Sequence, residues 1–348
     1  LQFSGDIYQR KTTDMFTVGM SLPAVFGTDV PKGNYADLTT KGFELSVSWR
    51  DQFQLASKPF NYEVRFTLAD YQSTIDKYNN PEKKLGDDYY YEGMKVGEIW
   101  GYETEGFFTS QADIDSHAKQ PYFYAGATAG QWLPGDIKFK DLNGDGVIDY
   151  GNNTVDNPGD QKIIGNSEPR FIYGINLSGD WNNFFVSAFF QGVGKQDWWP
   201  GSEASYFWGM YNRPYNDMPK SHLGNIWTEE NPNTYFPRLR GYSSEEPYAE
   251  LNLKQTRYLQ NIAYIRMKNI QLGYTLPKSF ISKLRMQNAK VYVSGENLWS
   301  WSPFYKYSKD LDVEAVRGSD RDLTEGTSGN GYSYPILKSV SFGLSVTF

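Results

Sequence analysis

The closing segment Ser339-Val340-Ser341-Phe342-Gly343-Leu344-Ser345-Val346-Thr347-Phe348 decides the fold. Every even position is apolar and every odd one is small or polar. A period of two sorts side chains onto opposite faces of one strand. The pattern lasts as long as the roughly 9–11 residues a tilted strand needs to cross a bilayer. Its polar face holds Ser, Gly and Thr, with no charges to pair.

The same rhythm recurs upstream. Phe43, Leu45, Val47 and Trp49 alternate with Glu44, Ser46, Ser48 and Arg50. Phe60, Tyr62, Val64, Phe66 and Leu68 alternate with Asn61, Glu63, Arg65 and Thr67. Phe171, Tyr173, Ile175 and Leu177 precede a tight turn at Gly179–Asn183, and Phe184, Val186, Ala188 and Phe190 follow it. Weaker strands are expected at Leu1–Gln9, Tyr264–Leu276 and Ala289–Asn297. In the Tyr264 segment Ile265 and Met267 are odd, whereas Ile270, Leu272 and Tyr274 are even, a phase slip that a β-bulge would produce.

Composition agrees with many strands. The 348 residues carry 27 Tyr, 22 Phe and 10 Trp, so rings supply much of the apolar mass, and 33 Gly accompany them. Aromatic-rich chains with Gly and polar turns favour sheets over helical bundles. Cys is absent, which excludes disulfides, a thiol nucleophile and thiolate metal sites. Two His, His117 and His222, cannot build a multi-His metal centre. A net charge of -7 argues against a nucleic-acid surface. No apolar run reaches the roughly 18 residues of a membrane helix, and no signal peptide opens the chain.

Alternation also fits a soluble β-sandwich, whose strands usually run about 5–6 residues. Two features favour a membrane barrel: longer strands, and Glu44, Arg50, Glu63 and Arg65 gathered on the polar face as a hydrated lumen requires. Connection lengths agree. Short links are expected at Asp51–Pro59, Gly179–Asn183 and Pro277–Asn288, and long ones at Thr17–Thr39, Tyr78–Glu168, Gly192–Arg257 and Trp301–Leu337. Short periplasmic turns and long extracellular loops are the outer-membrane pattern, and the parity closes with about eight strands. It requires Gly97–Tyr102 to stay in the loop spanning 79–168 and not to cross the membrane. The expected fold is therefore an all-β antiparallel membrane barrel, partial, with long extracellular loops. The lipid-facing wall would include Phe43, Leu45, Val47, Trp49, Val64, Phe66, Val340, Phe342, Leu344 and Val346. Glu44, Ser46 and Arg50 would face the interior.

Several stretches carry a family resemblance. They are "GDIYQRKTTDMF" (Gly5–Phe16), "NYADLTTKGFELSVSW" (Asn34–Trp49), "VGEIWGYETEGFF" (Val96–Phe108), "GDIKFKDLNGDGVID" (Gly135–Asp149), "IIGNSEPRFIYGINLSGDWNNFFVSAFFQGVG" (Ile163–Gly194), "WTEENPNTYFPRL" (Trp227–Leu239), "YIRMKNIQLGYTLPKSF" (Tyr264–Phe280) and "VYVSGENLWSWS" (Val291–Ser302). Collinear from end to end, the chain resembles the C-terminal part of the SusC/RagA family of TonB-dependent outer-membrane transporters of Bacteroidetes. The resemblance implies active import of oligosaccharides or peptides. Its implied partners are TonB, acting through a plug, and a SusD-like surface lipoprotein that lids the pore. Plugged transporters of this kind have 22 strands. Residues 1–348 would thus be the closing part of one barrel domain, with plug and remaining strands supplied from outside this chain. Its first and last strands would otherwise expose unpaired edges.

Two motifs could carry chemistry. In Asp141-Leu142-Asn143-Gly144-Asp145-Gly146-Val147-Ile148-Asp149, oxygen donors recur at loop positions 1, 3, 5 and 9, with Gly at position 6 and the Val147 carbonyl at position 7. Such hard donors suit Ca²⁺, although position 12 is Asn152 where a bidentate Glu is usual. Asp156 and Asp160 are available to compensate. A metal-free Asn/Asp/Gly turn fits the same residues. The second motif is aromatic, running from Trp198-Trp199 through Tyr206-Phe207-Trp208 to Tyr211 and Tyr215. Trp and Tyr faces stack on sugars or grip peptides, and Trp208, Tyr211 and Tyr215 are the candidate solute contacts. An outer aromatic girdle for Trp198 and Trp199 and loop packing for the rest are favoured for most of these residues, with a few facing solute, and a partner-protein interface is a third reading. Catalysis has little support, and both His read as solvated loop residues. The competing function is a soluble calcium-dependent carbohydrate-binding β-sandwich or glycanase.

Overall fold

The computed structural model describes residues 1–18, 25, 27, 30–86, 89–120, 132–201, 204–213, 215–240, 249–316 and 334–348. In chain order the elements are β1 (Gln2–Val18), β2 (Lys32–Leu55), β3 (Lys58–Lys77), β4 (Glu98–Tyr102), β5 (Thr104–Phe107), α1 (Gln111–Ser116), β6 (Ile137–Phe139), β7 (Gln161–Asn166), β8 (Arg170–Trp181), β9 (Phe184–Lys195), β10 (Asp197–Trp198), α2 (Ser205–Trp208), β11 (Gln260–Asn261), β12 (Tyr264–Thr275), α3 (Lys278–Ile281), β13 (Asn288–Trp301) and β14 (Ser339–Thr347).

Eight of these strands make one antiparallel meander in the order β1-β2-β3-β8-β9-β12-β13-β14. The sheet is open, and β1 and β14 are its two edges. This is the expected partial barrel. The segment Gly97–Tyr102 does not join the eight-stranded sheet: β4 pairs with β7 in a separate two-stranded sheet. The phase slip is a bulge. Met267 and Asn269 face Phe190 and Phe189 on β9, leaving Lys268 as the extra residue.

Short links at one end of the sheet keep neighbours adjacent. Ala56 and Ser57 join β2 to β3, and Asn182 and Asn183 join β8 to β9. All four have positive φ, between 46° and 73°, the left-handed pair that matches the twist of a two-residue hairpin. β12 and β13 are linked through α3. β1, β2 and β3, at 17, 24 and 20 residues, are longer than the roughly 9–11 residues that a bilayer crossing needs.

The register places apolar residues in rows across the whole sheet. One row runs Phe3, Val47, Phe66, Ile175, Phe190, Met267, Trp299. Another runs Trp49, Val64, Leu177, Ala188, Ile270, Gly295, Val340. Nearest the short turns, Phe53, Phe60, Trp181, Phe184 and Tyr274 form an aromatic row, with Phe53 and Phe60 centroids 5.0 Å apart and those of Phe184 and Tyr274 4.7 Å apart. No second sheet covers this face among the described residues, which removes the sandwich alternative. Phe342 and Leu344 are 87% and 66% exposed.

The opposite face is polar. Ser46, Thr67, Gly174, Gln191, Arg266 and Ser300 form one row, and Arg50, Glu63, Ser178, Ser187, Gln271, Ser294 and Ser341 another. Phe185, Phe189 and Tyr292 are among the exceptions on this face, and the Tyr292 ring occupies the place a Cβ on Gly343 would need. The glycine thus makes room for a cross-strand ring.

At the far end the long connections build a second body with a core of its own. Buried Tyr102, Ile137, Phe139, Ile148, Phe207, Trp208, Tyr211, Phe236, Leu251, Tyr258, Phe304, Leu311 and Val313 form one cluster drawn from three connections. It also takes in Val193 and Tyr264, which stand on the polar face of the sheet one row above Gln191 and Arg266. The connections therefore fold inward, over the polar face, and form a cap.

Candidate functional site

The sheet leaves two surfaces open to a small molecule: its polar face and the body built by the long connections. On the inner face near the short turns, a groove of 1080 Å³ is lined by Arg50, Asn61, Glu63, Asp180, Phe185 and Lys290. Arg50 Nε lies 2.9 Å from Glu63 Oε2, and the Ser48 hydroxyl donates to Glu63 Oε1 at 2.9 Å. Both β2 and β3 present these groups inward because their parity opposes the apolar rows. Glu44 and Ser46 share that face with Arg50, whereas Phe43, Leu45, Val47 and Trp49 lie on the other. Phe43 sits opposite Asp70, whose carboxylate accepts from Arg170 Nε at 2.6 Å. The apolar stripe therefore ends near Phe43, at the cap-side rim. Val64, Phe66, Val340, Phe342, Leu344 and Val346 continue it across β3 and β14.

The cap is held by buried charge as well as rings. Asp136 is fully buried, with Arg238 Nε at 2.6 Å and Arg240 paired to it. Glu250 lies beside them, and its Oε2 accepts from the Ile137 amide at 3.0 Å. Burial, together with the neighbouring Asp136 carboxylate, pushes Glu250 up to about 8. Arg266 of β12 joins Asp312 at 2.5 Å and Glu314 at 2.7 Å, fastening the last connection onto the inner face of the sheet. Breaking one partner of such a buried set is costly because it strands the others.

The structure corrects several aromatic assignments. Trp208 and Tyr211 are fully buried in the cap core, Trp208 against Tyr258 at 5.3 Å, and the Tyr211 hydroxyl donates to the Pro237 carbonyl. Neither shows a face to solute. Of the three candidates only Tyr215 is exposed, at 78%. Trp198 and Trp199 are not a girdle: Trp198 is buried edge-on to Phe207 and Phe304, and Trp199 packs against the same core. The girdle-like row lies at the opposite end of the sheet. His222 is buried, not solvated. Its Nε2 lies 2.9 Å from the Phe207 carbonyl, and burial pushes its imidazole below the usual range. His117 is half-buried, with Nε2 2.8 Å from the Phe139 carbonyl. Sequence rhythm could not find these roles, because a Trp-rich loop reads the same exposed or packed.

The acidic loop lies in the cap. Asp141 accepts from the Gly144 and Gly146 amides, at 2.6 and 2.9 Å. Asn143 Oδ1 accepts from the Asp145 amide, Asp145 Oδ1 from Val147, and Asp149 Oδ1 from Gly151. Asp160 receives the Leu142 and Asp149 amides from behind. Gly144 and Gly146 have φ of 77° and 82°, which the tight turn demands. The loop is thus ordered by its own backbone donors. Among the described residues no three His, Asp or Glu side chains converge as a metal cage.

Comparison with known proteins places this geometry. No family model matches the chain. TonB-dependent receptor P3 of Formosa agariphila is 26% identical over 366 residues, covering all of this chain and 32% of that protein. TonB-dependent receptor P26 of the same organism is 26% identical, covering 98% of the chain and 32% of its own length. The chain thus spans about a third of the length of these curated relatives. Among solved structures, the RagAB peptide importer in its closed-closed state superposes with a TM-score of 0.67 at 19% identity, over 99% of this chain and 33% of the matched one. Its open-open state gives 0.64.

Proposed function

We infer that this chain, a partial β-barrel of the SusC/RagA-type TonB-dependent receptor kind, supplies wall, inner lining and outer cap to an active importer of a bacterial outer membrane. One observation carries the reading. Eight strands hold apolar rows on a face that no described residue covers, while three long connections from one end fold into a cap over the polar face. Apolar rows of this extent mark a covered or membrane surface, and on long alternating strands of one antiparallel sheet they suit lipid. Phe43, Leu45, Val47, Trp49, Val64, Phe66, Val340, Phe342, Leu344 and Val346 are the lipid-facing residues, and Glu44, Ser46 and Arg50 face plug or solute.

The remaining strands pair with the open edges β1 and β14, because unpaired backbone cannot face hydrocarbon, and the plug sits inside the barrel they complete. TonB acts on the plug, not on this chain. A SusD-like surface lipoprotein seats on the cap, and the solute is an oligosaccharide or a peptide. The likeness to TonB-dependent receptors and to the RagAB peptide importer supports this arrangement. The chain is a conduit and not an enzyme. For the Asp141–Asp149 loop, whose side chains bond backbone amides and do not converge here, we propose Ca²⁺ binding that would have to turn Asp141, Asn143, Asp145, Asp149 and the Val147 carbonyl toward one ion. Its role is structural and weak, since backbone amides already hold the carboxylates in place.

The test is uptake by cells carrying the complete transporter. Labelled oligosaccharides and peptides should accumulate only with TonB present and the inner membrane energised. Uptake that survives loss of both would overturn active import.

A further inference from the structure

On the cap, a cleft of 490 Å³ gathers Ser221, Asn225, Tyr235, Arg257, Lys306 and Tyr307 from two different long connections. That volume suits a small ligand. Two of its lining residues are cations and none is an acid, in a chain whose net charge is -7. Among the described residues the ion pairs use other cations, and no described carboxylate neutralises Arg257 or Lys306. Arg257 is nevertheless fixed. Its Nε donates to the Tyr235 carbonyl at 2.9 Å, its Nη2 donates to Thr234 at 2.6 Å, and its guanidinium carbon lies 4.1 Å from the Phe107 ring centroid. Tyr235 and Tyr307 stack at 4.0 Å and 14°, and Lys306 Nζ stands 5.1 Å from the Tyr307 ring. With Nε and Nη2 already given to backbone carbonyls, the guanidinium is pre-set and loses little freedom when its remaining N–H groups meet an oxyanion.

We propose that this cleft is a binding site for acidic oligosaccharide, with Arg257 and Lys306 taking the carboxylate of a uronate residue and the tyrosine pair lying against its sugar ring. Flat aromatic walls beside hydroxyl and amide side chains suit a sugar. A peptide would instead need free backbone edge or apolar side-chain pockets. The backbone here is already engaged: Trp227 and Phe236 pair with Phe236 and Asn225, and Arg257 occupies the Thr234 and Tyr235 carbonyls. The site deepens the import reading by naming a solute class and rests on it only for its biological setting.

The experiment is calorimetric titration of the complete transporter in detergent with oligogalacturonate and oligomannuronate, their methyl esters, and oligoglutamate. At least one uronate should bind, and its ester should bind roughly tenfold more weakly, the loss expected for a charge-assisted hydrogen bond. Lys306→Glu, at an exposed position, should cost at least as much while near-UV dichroism stays unchanged. Tyr307→Ala should weaken both acid and ester. Absence of uronate binding, equal affinity for acid and ester, no effect of Lys306→Glu, or tighter binding of oligoglutamate would each overturn the assignment. Intact uronate binding with TonB-independent uptake would leave this site standing and count against active import alone.

Discussion

The wall and the cap are built from the same kinds of residue by opposite rules. Leu344 and Phe342 in the wall stay mostly exposed, whereas Trp208 and Tyr258 in the cap are wholly buried. The wall has no interior of its own. Its apolar rows are left uncovered by the described residues, and a ladder of backbone hydrogen bonds joins its long strands. The cap closes around a core of rings, as a water-soluble domain does, although its segments arrive from three separate connections. An aromatic side chain therefore says little about environment until its element is known. On a strand, parity assigns it; in a connection, only packing does.

The comparison breaks first in the cap core. Trp208→Ala removes a fully buried indole and should cost about 3–5 kcal/mol, the usual range for such truncations. The loss should appear as cap-specific exposure in hydrogen exchange, with the sheet amides still protected. Tyr215→Ala, on an exposed ring, should fall within about 0.5 kcal/mol of neutral. Equal effects would mean the cap has no core.

In the wall the environment rule reverses. Val64→Arg, on the apolar face, should cost about 2–4 kcal/mol if the position lies near the bilayer midplane. Ser46→Arg should be milder because it enters a hydrated interior. Folding of the complete barrel into vesicles at graded urea reads both, and equal tolerance would reverse the assignment of faces.

A smaller effect sharpens the electrostatic contrast. Glu250 titrates near 8 in the folded cap, against 4.5 for the ordinary group. A raised folded value stabilises fully below the unfolded value and is lost as pH rises through the folded one. Protection of the Ile137 amide should therefore decline between pH 4.5 and about 8. Glu250→Gln should flatten the decline, and an unchanged pH profile in this variant would exclude Glu250 as its source. Arg238, Arg240 and Asp136 are the charged groups facing it. The smallest effect belongs to the acidic loop. Removing Ca²⁺ with a chelator should shift cap melting only slightly, and Asp141→Ala should abolish that shift. A large loss of cap structure on chelation would show that the backbone donors do not suffice.

Much of the wall was legible because its rule is local. Alternation on β2, β3, β9 and β14 depends only on neighbours two residues apart. Even the bulge at Lys268 left a trace as a change of phase between Met267 and Ile270. The aromatic row of Phe53, Phe60, Trp181, Phe184 and Tyr274 is written in the sequence too, but dispersed across five strands, and it needed the register to assemble it.

The sequence by itself determined the strands, their two faces, their parity and the likeness to a transporter family, since periodicity and collinear motifs survive without coordinates. Tertiary structure alone decided which way the long connections fold and what they bury. Trp208 could as well have faced solute, and His222 could have been solvated. Arg257 and Lys306, separated along the chain, give no sign of sharing a cleft with Tyr235 and Tyr307. Those outcomes depend on contacts between segments far apart in sequence, where burial energy is shared among many partners and no local pattern records it.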